Sequence, residues 1–253
     1  KCEAQDIRNS GWNYQSSSSF ITLSYYVRSS VAQTFTAWIT NRDGTRKNFV
    51  WSYALSANTW TKITKVIPGD SGLTINNDNG AAIELWFQMF YGTNYSQASP
   101  PGNNTGGWVN HDNQTVETND TSWYLTNDAT FEITGVQLEV GNHATSFEHR
   151  SVADELARCQ RYYEETYVMT DAGNSYVRVP VLYKVEKRAV GTPVSYAKRP
   201  DGVGTGAANK AYQADGERTA SCNYSWTGGT MLFVSGYSAN TDCFSNIRVN
   251  AEL

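Results

Sequence analysis

Hydrophobic residues alternate with polar ones in several short segments of the first 140 residues, and this period of two limits the fold more than any other feature. The clearest segment is 83–90, where every second residue is aliphatic or aromatic. Because successive side chains of a β-strand point to opposite faces of the sheet, each such segment buries one face. Four more segments follow the same pattern: 20–28, 34–40, 49–55 and 60–67. Short strands joined by polar turns predict an antiparallel sandwich or barrel.

The opposite faces of these strands carry a different set of side chains. With the aliphatic face of each strand in the core, six residues point outward: Tyr26, Arg28, Trp38, Glu84, Trp86 and Gln88. Aromatic rings stack on the C–H faces of sugars, and carboxylate, amide and guanidinium groups bind hydroxyls in pairs. We therefore expect a saccharide-binding platform. The alternative is that these aromatic rings are buried in a subunit contact or beneath the following loop.

That loop, 91–121, is long, rich in Gly, Asn and Ser, and contains Pro100 and Pro101. Loops of this length in a compact domain usually carry function. Tyr and Trp on loops offer contact area at a small entropy cost, so Tyr91, Tyr95 and Trp108 are candidate ligand contacts at exposed loop tips. The alternative is a loop that folds back onto the sandwich.

Residues 131–167 pass from a strand pattern to a helix pattern. The apolar alternation slips by one position at Thr134 and Gly135, which is typical of a β-bulge. Ser151 is placed to cap a helix, with Asp154 in the capping-box position. Spacings of four, three and four then put four residues on one apolar helical face: Val152, Leu156, Cys159 and Tyr163. The pattern predicts a helix between two β domains, with Cys159 buried on its apolar face. A Cys222–Cys243 disulfide is an alternative that would need an oxidising compartment.

The same stretch resembles a known family. The segments ITGVQLEVG, AT-x-FEHRS and EL-x-x-CQRYY are similar, in this order, to the junction near the end of many bacteriophage tail-fibre and related virion proteins. LSYYVRSS, ANTWTKITKVIPGD and FYGTNYSQ resemble that family's carbohydrate-binding-type jelly roll, and VNAEL resembles the last strand of its small C-terminal domain. Ser146 departs from the pattern, since the family often has proline there.

Pattern and resemblance together predict an all-β protein. We expect a jelly-roll β-sandwich at 1–148, one linking α-helix at 149–168 and a smaller β-sandwich domain at 169–253. Strand signals in the last domain are 176–181, 193–197, 220–226, 231–234 and 244–249. A domain this small is marginal alone, and the resemblance implies that it forms a homotrimer.

The resemblance also implies a function. It indicates a structural protein of the virion, a tail fibre exposed on the phage tail and assembled in the bacterial cytoplasm with other tail proteins. Its partner would be a polysaccharide of the host surface. Two alternatives remain: a polysaccharide depolymerase, and a head-fibre, decoration or adaptor protein without a ligand. The net charge of −4 argues against nucleic acid as a partner, and the sequence has no apolar run long enough to insert in a membrane.

Catalytic and metal-binding motifs are weak. Residues 69–72, GDSG, resemble the nucleophile segment of chymotrypsin-like proteases, but no histidine stands in a matching context, so a turn is expected. Glu84 is the best candidate for glycoside cleavage, yet spacing supplies no partner carboxylate. Residues 76–80, NNDNG, are oxygen-rich but lack the spacing of a calcium loop. We expect no catalytic residues and no cofactor, although the resemblance allows a structural calcium ion.

Overall fold

The computed structural model describes residues 1–92, 94–97, 106–112, 116–118, 121–170, 176–213, 216–235 and 243–251. Strands dominate these residues, so the predicted all-β class is confirmed. They form two units, Lys1–His149 and Arg150–Leu253. None of the helices in the described ranges is long and apolar enough to cross a membrane.

The first unit contains ten strands and two short helices within the described ranges. These are β1 (Cys2–Glu3), α1 (Ala4–Asn9), β2 (Phe20–Ser29), β3 (Gln33–Asn41), β4 (Lys47–Leu55), β5 (Thr61–Pro68), β6 (Ala81–Gln88), β7 (Ser96–Gln97), β8 (Val109–Asn110), β9 (Val116–Glu117), α2 (Ser122–Leu125) and β10 (Phe131–Val140). One antiparallel sheet has the order β1-β6-β3-β4-β8, and a second has the order β10-β2-β5. A short parallel pair, β7 and β9, belongs to the long loop.

The two sheets of this unit share one hydrophobic core, built from the faces that the alternation predicted. Leu23 and Tyr25 enter it from β2, Phe35 from β3 and Trp51 from β4. The Tyr25 ring packs edge-on against Phe87 at a centroid distance of 5.2 Å. Trp51 Nε1 donates a hydrogen bond of 3.2 Å to Tyr25 Oη, which satisfies both polar groups inside the core.

The predicted bulge in β10 is confirmed. The register between β10 and β2 shifts between Thr134 and Gln137, and Gly135 has a φ of +59°. A Cβ built at position 135 would lie 3.3 Å from Tyr26 Cδ2, so glycine allows both the backbone conformation and the close approach of the tyrosine ring.

The second unit consists of one helix followed by strands. These are α3 (Val152–Gln160), β11 (Tyr163–Thr170), β12 (Tyr176–Leu182), β13 (Val194–Tyr196), β14 (Lys210–Gln213), β15 (Gly216–Trp226), β16 (Gly229–Ser235) and β17 (Cys243–Asn250). They form a single sheet in the order β11-β17-β14-β15-β16-β12, with β13 also paired to β17. The edge strands β11 and β12 contact each other, so the sheet curves around its core of small aliphatic residues.

The predicted linking helix at 149–168 is too long. α3 ends at Gln160, and β11 begins at Tyr163 and pairs with β17 along its whole length. The Tyr- and Thr-rich sequence of β11 suits a strand, and tertiary pairing overrides the helical spacing. The cap is confirmed, since Asp154 N donates to Ser151 Oγ at 3.1 Å. Cys159 is exposed, not buried as expected, and all four cysteines are free thiols.

Candidate functional site

The outer face of the five-stranded sheet carries the most distinctive aromatic group of the first unit. Trp38 on β3 lies directly opposite Trp86 on β6. Their ring planes are 3° from parallel and their centroids 6.0 Å apart. Trp86 is 38% exposed, whereas Trp38 is 6% exposed. We call the surface formed by Trp38 and Trp86 the tryptophan face. Of its two indole rings, that of Trp86 is open to a ligand.

Part of the predicted loop folds onto the tryptophan face. The Tyr91 ring lies 6.0 Å from that of Trp38, and Tyr95 lies 6.3 Å from Tyr91. Tyr95 is 58% exposed, and its backbone N donates to Gly92 O at 2.9 Å. Trp38 is therefore covered by the loop, as the alternative interpretation expected, while Tyr95 and Trp86 keep exposed rings.

A buried carboxylate lies beside Trp86. Glu84 precedes it by two positions on β6, so both side chains point to the same side of the sheet. Glu84 Oε1 is 3.6 Å from Lys1 Nζ, and Oε2 is 3.7 Å from Arg42 Nε. In the described part of the chain, Oε2 is buried without a hydrogen bond, and the charge of Arg42 is the compensation closest to it.

Hydrogen bonds between three polar side chains hold the neighbouring part of the tryptophan face in place. Thr40 Oγ1 donates to Asn48 Oδ1 at 2.7 Å, and Asn48 Nδ2 lies 3.1 Å from His111 Nδ1. Burial, together with the charges of Arg46 and Arg42, lowers the pKa of His111. A neutral His111 whose Nδ1 accepts from Asn48 agrees with this shift. The face therefore runs from aromatic rings to a cluster of hydrogen-bonding and cationic groups.

Two of the predicted contacts on this side are not available to a ligand. Trp108 is buried in the core, where Nε1 donates to Pro68 O at 2.7 Å, so its prediction as an exposed loop tip is wrong. β8 follows it directly and pairs with β4, which draws the indole over the edge of the sandwich. Gln88 points outward as expected but is buried beneath its neighbours.

The predicted single platform is also wrong. Tyr26 and Arg28 lie on β2, in the three-stranded sheet, whose outer face points away from the tryptophan face across the shared core. Arg28 forms an ion pair of 3.0 Å with Glu132, and the Tyr26 ring packs on Gly135. Alternation specifies which side of a strand faces the core, but it does not specify which sheet the strand joins.

The chain itself covers part of that second outer face. Gln137 Oε1 accepts from Glu148 N at 2.7 Å, and Glu139 Oε2 accepts from Thr145 N at 3.1 Å. The hydroxyl of Thr145 also donates to Glu139. These hydrogen bonds hold residues 145–148 against β10. The junction segments QLEVG and AT-x-FEH are thus hydrogen-bonded to each other.

The weak motifs form turns. Asp70 accepts from Lys47 Nζ at 2.7 Å and from Gly72 N at 2.8 Å, and Asp78 accepts from Gly80 N at 2.8 Å. Across the described ranges, no three His, Cys, Asp or Glu side chains come together as a metal site.

A scan against models of known protein families found no match, and searches of curated proteins and of solved structures found none either. The site must therefore be interpreted from its own residues.

Proposed function

We propose that this chain is a bacteriophage virion protein, a tail-fibre segment whose first unit binds a polysaccharide of the host cell surface. The observation that carries the binding role is the exposed Trp86 indole beside the buried Glu84 carboxylate and the Arg42 guanidinium. The resemblance of the junction segments to tail-fibre proteins supports the virion role.

The chemistry of the tryptophan face suits a sugar. Residues two apart on a strand are about 7 Å apart, so a sugar ring stacked on Trp86 places hydroxyls near Glu84. Glu84 Oε2 is itself buried, so its role is to hold the half-exposed Arg42 guanidinium, which donates to the sugar oxygens. Tyr95 supplies a second exposed ring for the next sugar of the chain.

Affinity of one such open site would be modest. Exposed rings and a few hydrogen bonds leave much of the ligand in water, unlike a deep pocket. The homotrimer that the resemblance implies would present three copies to one polysaccharide chain, and linked weak sites gain overall avidity. Host adsorption thus requires no enclosed cavity.

Binding of the whole chain to an array of purified bacterial capsular polysaccharides and lipopolysaccharides tests this proposal. Trp86→Ala should weaken binding to the recognised glycan at least tenfold, about 1.4 kcal/mol. Trp60→Ala is the matched control, because Trp60 is 47% exposed but precedes β5 in the other sheet. An equal loss in both variants contradicts the assignment of the site.

The same array separates the remaining functions. Release of reducing ends from a bound polysaccharide would favour the depolymerase, which needs a second carboxylate near Glu84. Absence of binding to every polysaccharide by the assembled protein would favour the ligand-free fibre, decoration or adaptor protein. Either result replaces the adhesin proposal.

A further inference from the structure

The second unit has a pocket of its own, on the side of its sheet that faces away from the core. The volume of this C-terminal pocket is about 290 Å³. Its side-chain lining comes from β12, β15 and β16: Arg178, Thr219, Ser221, Asn223, Phe233 and Ser235. None of these residues belongs to the tryptophan face.

Strand register builds the floor of this pocket. Arg178, Phe233 and Ser221 lie side by side across three neighbouring strands, and Thr219 pairs with Ser235 in the next row. The intervening residues Ala220, Leu232 and Val234 alternate to the other side and fill the hydrophobic core. The polar lining therefore lies on a rigid sheet and not on a mobile loop.

Phe233 supplies the aromatic ring of the lining, and Tyr224 stands beside that ring, outside the lining. Tyr224 lies 6.0 Å from Phe233, and the Arg178 guanidinium lies 5.1 Å from the Phe233 centroid. Tyr224 is 80% exposed and has a φ of +53°, at the bulge where β15 shifts register between Asn223 and Trp226. A non-glycine residue in this left-handed conformation is strained, and such strain is typical of functional positions.

We propose that the C-terminal pocket binds one pyranose unit of a glycan, as a site separate from the tryptophan face. Ser221 and Thr219 hydroxyls and the Asn223 amide both donate and accept, as sugar hydroxyls require. Phe233 and Tyr224 supply rings for the apolar face of the sugar. The volume is at the lower end for small-molecule sites, which fits a single sugar ring.

Two other ligand classes fit this pocket poorly. A peptide that adds a strand needs an open sheet edge, but the polar lining lies on β15 and β16, which are each paired on both sides; such a peptide would add beside the edge strand β12, away from these polar groups. Nucleic acid needs clustered cations, and Arg178 is the single cationic residue of the lining.

Saturation-transfer NMR and calorimetric titration of the whole chain with methyl glycosides of glucose, galactose, N-acetylglucosamine and glucuronic acid test the proposal. At least one glycoside should bind, and Tyr224→Ala and Ser221→Val should each weaken its affinity at least tenfold. Met169→Ala, an exposed apolar residue of the same unit, should change affinity less than twofold. The absence of binding by all four glycosides overturns the proposal.

Two further variants distinguish this site from the tryptophan face and from a contact between copies of the chain. Trp86→Ala removes the exposed ring of the tryptophan face and should leave glycoside binding to the C-terminal pocket unchanged, so an equal loss there overturns a separate site. Tyr224→Gly keeps the left-handed backbone without strain, so it should lose binding with no fall in melting temperature. A change of sedimentation coefficient in Tyr224→Ala would identify the pocket as a contact between copies and also overturn the proposal.

Discussion

The two units of this chain bury different kinds of side chain. The first unit fills its core with large rings such as Tyr25, Phe35 and Trp51. The described core of the second unit is built from smaller residues such as Ala220, Val234 and Ile247. Beside it lies a fully buried ion pair, Lys187 with Glu164. Burial of large apolar rings stabilises the first unit, whereas the second unit contains a buried pair that becomes costly when one partner is lost.

The ion pair of the second unit holds several segments together. Lys187 Nζ lies 2.6 Å from Glu164 Oε2 and also donates to the backbone oxygen of Gln160, the last residue of α3. The Glu164 carboxylate accepts from Lys184 N at 3.1 Å. The ammonium also lies 4.9 Å from the centre of the Tyr183 ring. Loss of one charge would leave its partner buried and unpaired.

The largest expected effect is therefore in the second unit. Lys187→Met should lower its free energy of unfolding by about 3–5 kcal/mol, because Glu164 then remains as an unpaired buried charge. The measurement is hydrogen exchange of the β11 and β17 amides. Lys184→Met, an exposed lysine nearby, is the control. Lys187→Met combined with Glu164→Leu should recover most of the loss; if it does not, the pair matters for more than charge compensation.

A single large-to-small change in the first unit should have a somewhat smaller effect. Leu23→Ala removes a buried side chain of β2 and should cost about 3 kcal/mol, because the surrounding rings relax only partly into the cavity. Leu125→Ala makes the same chemical change at an exposed position of the same unit. Denaturant unfolding followed by tryptophan fluorescence measures both. Equal midpoints would contradict the aromatic-core interpretation.

The hydrogen bonds between β10 and residues 145–148 test whether specific polar contacts also stabilise the first unit. Gln137→Ala removes the acceptor of Glu148 N and should lower stability by about 1–2 kcal/mol. It should also speed hydrogen exchange at residues 145–148. Gln5→Ala, on the exposed side of α1, should change neither quantity. Unchanged exchange in Gln137→Ala would show that the segment is held by other contacts.

The smallest expected effect is the acid response of the first unit. Burial alone would raise the pKa of Asp70, but hydrogen bonds from Lys47 and Gly72 and the charge of Lys47 hold that pKa below its ordinary value. The stabilisation that the Asp70 carboxylate gives to the folded state is then fully present above the pKa of an unfolded aspartate, about 3.9. It is lost as the pH falls through the lower pKa of the folded state. Asp70→Asn should cost about 1 kcal/mol at pH 7 and less in acid. Melting temperatures of the variant and the unaltered protein, compared at pH 7 and in acid, measure this effect; an equal loss at both pH values would contradict it.

Sequence reasoning succeeded where the signal was local. The outward positions Glu84 and Trp86, the bulge at Gly135 and the Ser151 cap all depend on neighbouring residues, and all four were found where predicted. Trp108 was misplaced because its burial depends on β8 pairing with a distant strand.

The amino-acid sequence alone determined which side of each early strand enters the shared core, since alternation is a property of consecutive residues. The tertiary structure decided which sheet each strand joins, and so separated Arg28 from Trp86. It also decided which charges meet, because Lys187 and Glu164 are apart in the chain and come together only when strand pairing and burial bring them into one interior. Long-range pairing depends on the whole chain at once, and no short segment encodes it.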